Sequence, residues 1–379
     1  MTNKTYVWAF PTRIFHWILV AFIILSYITA QYKGMLIYHV AFSIGILLLI
    51  LFRVIFGLFK IKYSRLKDFL YSFKDIKNHL FHIRKSSETY VGHNPLASLV
   101  ISSLMLTILL TIISGFIHYG IEEGRGIFSS LNPKFYFRME LSGIIHMILS
   151  YLVLTLISIH IMGVLLDKVL HKYKSSFSSI FNGYKNVSGE SVKLNKYHIT
   201  YSYLWISLSV FLVAYIIFIP KNIFIADPNK EISYKNENLS FYKECISCHT
   251  LYPPFLLPEK SWILLMKQLD NHFGSDASID SETEKSITDY LIANSAEKST
   301  KESAYKILKY LQNDTTIAIS KTPFWESTHK RLGEGIFKSD DVKSKANCII
   351  CHNDIEKGKI ENENIGFYPQ NRNKLISQQ

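Results

Sequence analysis

All four cysteines of the 379-residue chain fall into two copies of one pattern, Cys245-Ile-Ser-Cys248-His249 and Cys348-Ile-Ile-Cys351-His352. At this spacing two thiols reach the two vinyl groups of one haem, and the adjacent histidine meets the iron from one face. A zinc site would bring its Cys pairs closer together in the chain. A thioredoxin-like pair does not require the histidine, least of all twice. The motifs therefore predict two covalently attached c-type haems.

Beyond residue 220 the chain has four histidines, His249, His272, His329 and His352, and a single methionine, Met266. Two haems take up to four axial ligands. Met266 follows His249 by only 17 residues, a short reach for a thioether arriving from a separate loop. The count predicts bis-histidine haems, with His272 opposite His249 and His329 opposite His352. Crossed pairing, or one haem with an open position, stays as the alternative. Nitrogen in place of a thioether favours the ferric state, so low potentials are expected.

The elements that must carry these groups divide near residue 220. The chain is 48% hydrophobic with a formal net charge of +12. Residues 1–220 hold 21 Lys/Arg against 8 Asp/Glu, whereas residues 221–379 hold 21 against 22. The basic excess lies between apolar runs rather than on one polar surface, which argues against a nucleic-acid partner. With 17 Gly, 10 Pro, 25 Phe and 23 Tyr, disordered and collagen-like classes are excluded. The length favours two or three units.

Five apolar runs, near 14–31, 37–58, 96–118, 141–166 and 201–220, suit the roughly 20 helical residues that cross a bilayer. The first carries His16 and Trp17 and lacks a small-residue cleavage site, so it reads as a retained helix. The second-to-third connection carries Lys60, Lys62, Arg65, Lys67, Lys74, Lys77, Arg84 and Lys85. The fourth-to-fifth carries Lys168, Lys172, Lys174, Lys185, Lys193 and Lys196. Lys33 stands alone in the first connection, and Arg125, Lys134 and Arg138 in the third are offset by Glu122, Glu123 and Glu140. The positive-inside rule puts the basic connections in the cytoplasm. Five spans starting inside then deliver the C-terminal half to the outer face, where covalent haem is attached. The expected location is a bacterial inner membrane, N-terminus cytoplasmic and c-haem domain periplasmic.

A histidine inside a bilayer is costly unless paired or ligating. His16 lies near the cytoplasmic end of span one, His39 at the outer end of span two, and span four carries His146 and His160. Fourteen residues separate the last two, a rise of about 21 Å that ends about 40° short of whole turns. Both rings thus share one helix face and can serve two haems stacked across the membrane. The partners at matching depth are His16 for His160 and His39 for His146. For any one of them, bonding a helix-end carbonyl is the plainer role. That role is also expected for His93 and His118 at the ends of span three, either of which would replace a misassigned ligand. His79 and His82 share an amphipathic surface stretch with Phe73, Leu80 and Phe81. His171 and His198 flank a basic connection and read as solvated.

Residues Pro11-Thr-Arg13, Phe15-His16-Trp17, His39, Phe52-Arg53, Gly92-His-Asn-Pro95, His146 and His160-Ile-Met-Gly163 resemble the bacterial cytochrome b561 family and the related b-type subunits of membrane hydrogenases, over roughly 7–185. The resemblance implies four core helices holding two non-covalent b haems between His16, His39, His146 and His160. Arg13 and Arg53 would be haem-propionate partners, or equally interfacial anchors. The C-terminal half resembles the dihaem cytochrome c family. The residues concerned are Cys245–His249, Leu251-Tyr-Pro-Pro-Phe-Leu-Leu-Pro258, Ser261-Trp262, His272-Phe-Gly-Ser-Asp276, Thr322-Pro-Phe-Trp325, His329 and Asn347–His352. That resemblance implies two small domains, each with one bis-histidine haem.

These readings predict an all-α chain. A four-helix transmembrane b-haem bundle spans 1–185, and a linker with a fifth transmembrane helix and tether spans 186–238. A first c-haem lobe spans 239–314, with helices near 259–273, 280–294 and 299–312. A loop-rich second lobe spans 315–379, ending in a frayed tail. The expected function is membrane electron transfer, with haem supplying the one-electron chemistry. Quinol from the membrane quinone pool would reduce two b haems, and electrons would pass through two c haems to a soluble periplasmic cytochrome or other redox protein. An activity of the quinol:cytochrome c oxidoreductase type follows, with span five tethering the c module beside its donor. The alternative is reverse flow from a periplasmic donor such as a hydrogenase. A haem-based gas sensor or reductase would need an open axial position, against which the histidine count stands.

Overall fold

The computed structural model describes residues 4–59, 61–82, 90–171, 176–219, 221–228, 231–312 and 314–366. Lys60, Arg84, Lys85, Lys172 and Lys174 of the orientation argument, the His82 side chain, and the expected frayed tail beyond 366 lie outside the described residues.

The described helices of seven or more residues are α1 (Phe10–Ala30), α2 (Leu36–Leu58), α3 (Phe73–His82), α4 (Pro95–Glu122), α5 (Met139–His171), α6 (Lys196–Phe218), α7 (Leu239–Ile246), α8 (Glu259–Met266), α9 (Ser281–Ala293), α10 (Glu302–Leu311) and α11 (Pro323–His329). Five of them, α1, α2, α4, α5 and α6, are long and apolar enough to cross a membrane. The chain is all-α apart from one two-stranded pairing among the described residues. It divides into two compact units, 1–118 with 140–226, and 119–139 with 227–379.

In the first unit α1 starts at Phe10, ahead of the apolar run, because Pro11 occupies a first-turn position where no backbone donor is needed. Asn195 caps α6 by accepting from the His198 amide at 2.8 Å. The buried face of α2, including Ile44, Leu49, Phe52 and Phe56, packs against α1 and α6. Gly45 permits a close approach: a Cβ there would stand 2.6 Å from Val213 Cγ2 and 2.7 Å from Phe22 Cε2. Trp205 Nε1 donates to the Leu48 carbonyl at 2.7 Å. The fifth span is therefore a bundle member as well as a connection. One pairing departs from the helical expectation: Thr5–Tyr6 (β1) runs antiparallel to Tyr184–Lys185 (β2). Gly183, at φ +88°, turns the chain into this pairing, and its carbonyl accepts from Val7 N at 2.8 Å. Surface helix α3 forms where the amphipathic stretch predicts it, with Phe73 exposed.

In the second unit two apolar cores form. One gathers Tyr234, Phe241, Leu251, Leu257, Trp262, Met266, Ile287 and Leu291, with Cys245 against it. The other gathers Phe255, Leu256, Ala296, Ala304, Ile307, Leu311 and Ile355, with Cys348 and Ile349 against it. The second core thus draws on residues either side of 314. Helix α8 stops at Met266, short of the expected 273, because Gln268 leaves the helical region at φ −121° and ψ 29°; Leu269–Asn271 continue as a 3-10 turn ahead of the left-handed Phe273 and Gly274.

Residues 119–139 fold into this second unit around Arg125, which is 9% exposed and flanked by Gly124 and Gly126 at φ +64° and +68°. Its guanidinium meets Glu361 at 3.0 Å and Glu363 at 3.3 Å. Stripping one partner from such a buried pair costs about 3–5 kcal/mol, because the other charge stays desolvated. Asn132 Nδ2 donates to the carbonyls of Ile121 at 2.8 Å and Thr300 at 3.2 Å. Burial, followed by Glu122, Glu302, Glu361 and Glu363, pushes Glu123 up to about 8. The guanidinium of Arg125, which is close enough to feel Glu123, is engaged by Glu361 and Glu363.

Gly45→Leu should destabilise the first unit by about 1–3 kcal/mol through overpacking, read as a lower melting temperature with c-haem staining unchanged. For Glu123, the native form holds its proton up to about pH 8, whereas the unfolded carboxyl releases it near 4.5. Stability should therefore fall as pH rises through that window. Melting at pH 5 and pH 8 should show the loss in the parent chain and a smaller loss in Glu123→Gln.

Candidate haem-binding sites

Local sequence sets each c-type motif in place. Asn238 caps α7 by accepting from Phe241 N at 2.8 Å, and Cys245 falls near the end of that helix. Thr322 caps α11, accepting from Trp325 N at 3.2 Å, with Pro323 in the first turn. One helical turn separates Trp325 from His329, so the rings stack at 4.3 Å. Burial pushes the Cys245 thiol up to about 12 and the Cys348 thiol up to about 11. Neither has the lowered pKa of a thiol-exchange cysteine, which fits attachment rather than redox cycling.

The geometry can be tested against a bis-histidine iron. Two imidazoles bound through nitrogen at about 2.0 Å each, with ring centres about 1.1 Å further out, place their centres about 6.2 Å apart. His249 and His272 stand 6.2 Å apart and 21° from parallel. His329 and His352 also stand 6.2 Å apart, at 70°. His249 Nδ1 lies 2.7 Å from the Thr250 carbonyl and His329 Nδ1 lies 2.8 Å from the Trp325 carbonyl. Each bond holds Nδ1 as a donor and leaves Nε2 as the nitrogen open to a metal. His352 Nδ1 is buried with no hydrogen-bond partner among the described residues. The residues present fit the group that the motifs imply.

The first unit repeats the spacing. His39 and His146 stand 6.2 Å apart at 82°. His39 Nδ1 lies 2.9 Å from the Ser26 carbonyl on α1, and His146 Nδ1 lies 3.1 Å from the Thr111 carbonyl on α4. Gly115 makes room for the His146 ring, since a Cβ there would stand 2.8 Å from Cε1. A third ring joins them: His118 stands 6.4 Å from His146, with Nδ1 2.9 Å from Ser142 Oγ. Expected as a helix-end hydrogen bonder, His118 makes such a bond and also lies beside the pair. The signal available for this is equal depth on antiparallel spans three and four.

His16 lies on α1 and His160 on α5, and the two rings form no such ring contact among the described residues. Trp17 sits edge-on to His16 at 5.1 Å, and His16 Nδ1 has no hydrogen-bond partner among the described residues. Of the two arginines, Arg13 donates to the Phe181 carbonyl, and its Nε is buried without a partner among the described residues. Arg53 is buried, donates to the Ser64 carbonyl at 2.9 Å, and lies over the Phe69 ring. His93 sits between Trp8 at 4.6 Å and Phe69 at 4.7 Å, its ring tilted 42° and 40° to theirs. Its burial, with Arg53 and Lys185 near, pushes it down to about 3. His171 pairs with Asp167 at 3.0 Å, and His198 Nδ1 accepts from Asn195 N, so both do more than face solvent.

Known proteins share these two halves. Residues 241–360 match the family described as dihaem cytochrome c. Residues 7–183 match the family described as prokaryotic cytochrome b561. Among solved structures, the diheme cytochrome c from Rhodobacter sphaeroides is 37% identical, over 32% of this chain and 94% of that one, at a TM-score of 0.29. The chain belongs to the dihaem cytochrome c family, behind a cytochrome b561 region. A crystal structure of the protein purified from Rhodobacter sphaeroides gives 32% identity over 32% and 95% of the chains, TM-score 0.26. The diheme cytochrome type c from Shewanella baltica gives 27% over 34% and 92%, TM-score 0.28. No curated protein matches the chain. The two matched regions, with the five apolar helices, make the chain a multi-pass membrane electron-transfer protein that binds haem b and haem c.

His329→Met would exchange a nitrogen for a thioether beside the second attachment motif. It should raise the potential of one c haem and leave the other unmoved in an optical redox titration. Two unmoved potentials would remove His329 from the ligand set.

Proposed function

We propose that this cytochrome carries electrons from quinol, through two b haems and then two c haems, to a soluble periplasmic redox protein. The observation that carries the reading is the recurrence of one ring spacing: three histidine pairs, two in one unit and one in the other, stand at 6.2 Å. Closed pairs of this kind suit one-electron transfer, because they leave no position for a gas or substrate at the iron. In this reading His249 with His272, and His329 with His352, hold the c haems on the Cys245/Cys248 and Cys348/Cys351 attachments. His39 with His146, and His16 with His160, hold the b haems.

The buried Arg13 Nε and the Arg53 guanidinium offer charge for propionates near the His16 and His160 end of the bundle. Each quinol oxidised gives up two electrons and two protons. The electrons leave singly, so two acceptor molecules are reduced per quinol. The charge asymmetry of the connections supports a cytoplasmic N-terminus and a periplasmic C-terminal half in a bacterial inner membrane.

A pyridine haemochrome spectrum of the purified full-length protein should give two b and two c haems per chain. A soluble quinol should reduce the b haems first and the c haems after them, and carbon monoxide should leave the reduced spectrum unchanged. Two c haems without b haem would end the quinol reading. Stoichiometric carbon monoxide binding would end the closed-pair reading. Reduction of the b haems only from an added soluble donor would reverse the direction.

A further inference from the structure

The two attachment motifs end on histidines whose outer nitrogens meet different surroundings. His249 Nδ1 lies 2.7 Å from the Thr250 carbonyl, a neutral acceptor. His352 Nδ1 is buried without a hydrogen-bond partner among the described residues. Two residues on, Asp354 Oδ1 is in the same state, on a residue 6% exposed. Ile355 N donates to the His352 carbonyl at 3.1 Å, so the buried donor and the buried acceptor share one turn. That turn is fixed from both sides. Ile355 is buried in the core against which Cys348 packs. Asp354 Oδ2 accepts from Glu361 N at 3.1 Å and from Asn364 Nδ2 at 2.8 Å, which holds 354–364 as one loop. Ile365 then bridges to His352, and Gly366 N donates to the Cys351 carbonyl at 3.1 Å. One carboxylate oxygen is thus committed to the loop, while the other is buried beside the motif with nothing to accept from. Leaving both groups unmatched would cost the desolvation of each.

From this complementary pair we infer that Asp354 is a positioning residue for the second c haem, on Cys348 and Cys351. Its Oδ1 accepts from His352 Nδ1–H, turns Nε2 towards the iron and lowers the potential of that haem. The inference rests on the reading of His352 as an iron ligand given above. An imidazole whose Nδ1–H is shared with an anion is a more basic ligand through Nε2, and a stronger donor favours the ferric state. A charge-assisted bond of this kind is roughly twice as strong as a neutral one such as that at Thr250. Asp354 is removed from most of the solvent, so its charge is little screened. Burial, then His329, pushes the His352 imidazole down, and Asp354 acts in the opposite direction. When one electron passes to the next carrier of the proposed route, no bond forms or breaks. The Nδ1 proton stays on the ring, and the carboxylate stabilises the positive charge that the iron gains. The two c haems are thereby made unlike, one ligand ring held by a neutral carbonyl and the other by an anion.

The test is a mediated redox titration of the full-length protein in detergent. Dithionite is the reductant, so failure of the quinol reading does not touch the result. Asp354→Asn keeps the shape of the side chain and removes its charge. It should shift the equilibrium of one c haem about tenfold towards the ferrous form, a rise of about 59 mV for one electron. The other c haem should stay where it is, a pyridine haemochrome spectrum should still give two c haems, and Asp354→Glu should recover most of the shift. The haem that moves should be the one that His329→Met also moves; two unmoved potentials in His329→Met would show failure of the ligand reading separately. Asn364→Ala loosens the same loop with the charge in place and should move neither potential. A rise there equal to that in Asp354→Asn would assign the effect to the loop and overturn the inference, as would unmoved potentials in Asp354→Asn itself. Where Asp354→Asn does not retain the second haem, the parent protein decides. Its redox-induced infrared difference spectrum, taken with isotope-labelled aspartate, should contain a label-sensitive carboxylate band that titrates with one c haem. Absence of that band overturns the inference.

Discussion

An imidazole presents one nitrogen to a metal reliably only when its other nitrogen is held, and the arrangement around the candidate ligands follows from that constraint. His249 and His329 are held locally, by the carbonyl of the next residue and by one a helical turn back. His39 and His146 are held across helices, by carbonyls of Ser26 on α1 and Thr111 on α4. In an apolar bundle such bonds orient neighbouring helices as well as rings. Ring pairs carried on different helices and loops thereby arrive at the same separation.

The second constraint is the desolvation of charge. Arg125 with Glu361 and Glu363, and Lys359 with Asp227, are ion pairs removed from most of the solvent. Such pairs contribute little net stability, but a misplaced partner leaves a buried charge unmatched. They therefore select one arrangement of the connections over near alternatives. Glu123 shows the cost of gathering acid in a buried place, since burial first and its acidic neighbours next favour the protonated carboxyl.

Legibility in the sequence follows the range of each interaction. The attachment motifs span five residues, so the spacing of Cys245, Cys248 and His249 carries the chemistry unaided. The spans are legible because bilayer crossing needs only length and apolar composition. The partners of His249 and His352 can be counted, because only two other histidines occupy that half. The hydrogen bonds that orient the rings are not legible. Small polar residues such as Ser26 and Ser142 are common in apolar helices, and their roles depend on which neighbour they face. The apolar pattern of α8 predicts a longer helix than forms, because the pattern runs on past Met266 towards the Phe273–Gly274 turn.

By itself the sequence determined the covalent haem chemistry, the division into apolar and polar halves, and the helical class, since each depends on neighbours along the chain. Only the tertiary structure decided that α6 packs along α2 through Gly45, that His118 joins His39 and His146, and that two distant connections meet the 354–366 loop. Those outcomes bring together residues separated by up to 238 positions. No local pattern encodes which such pair will meet, because the choice is made by the packing of everything between them.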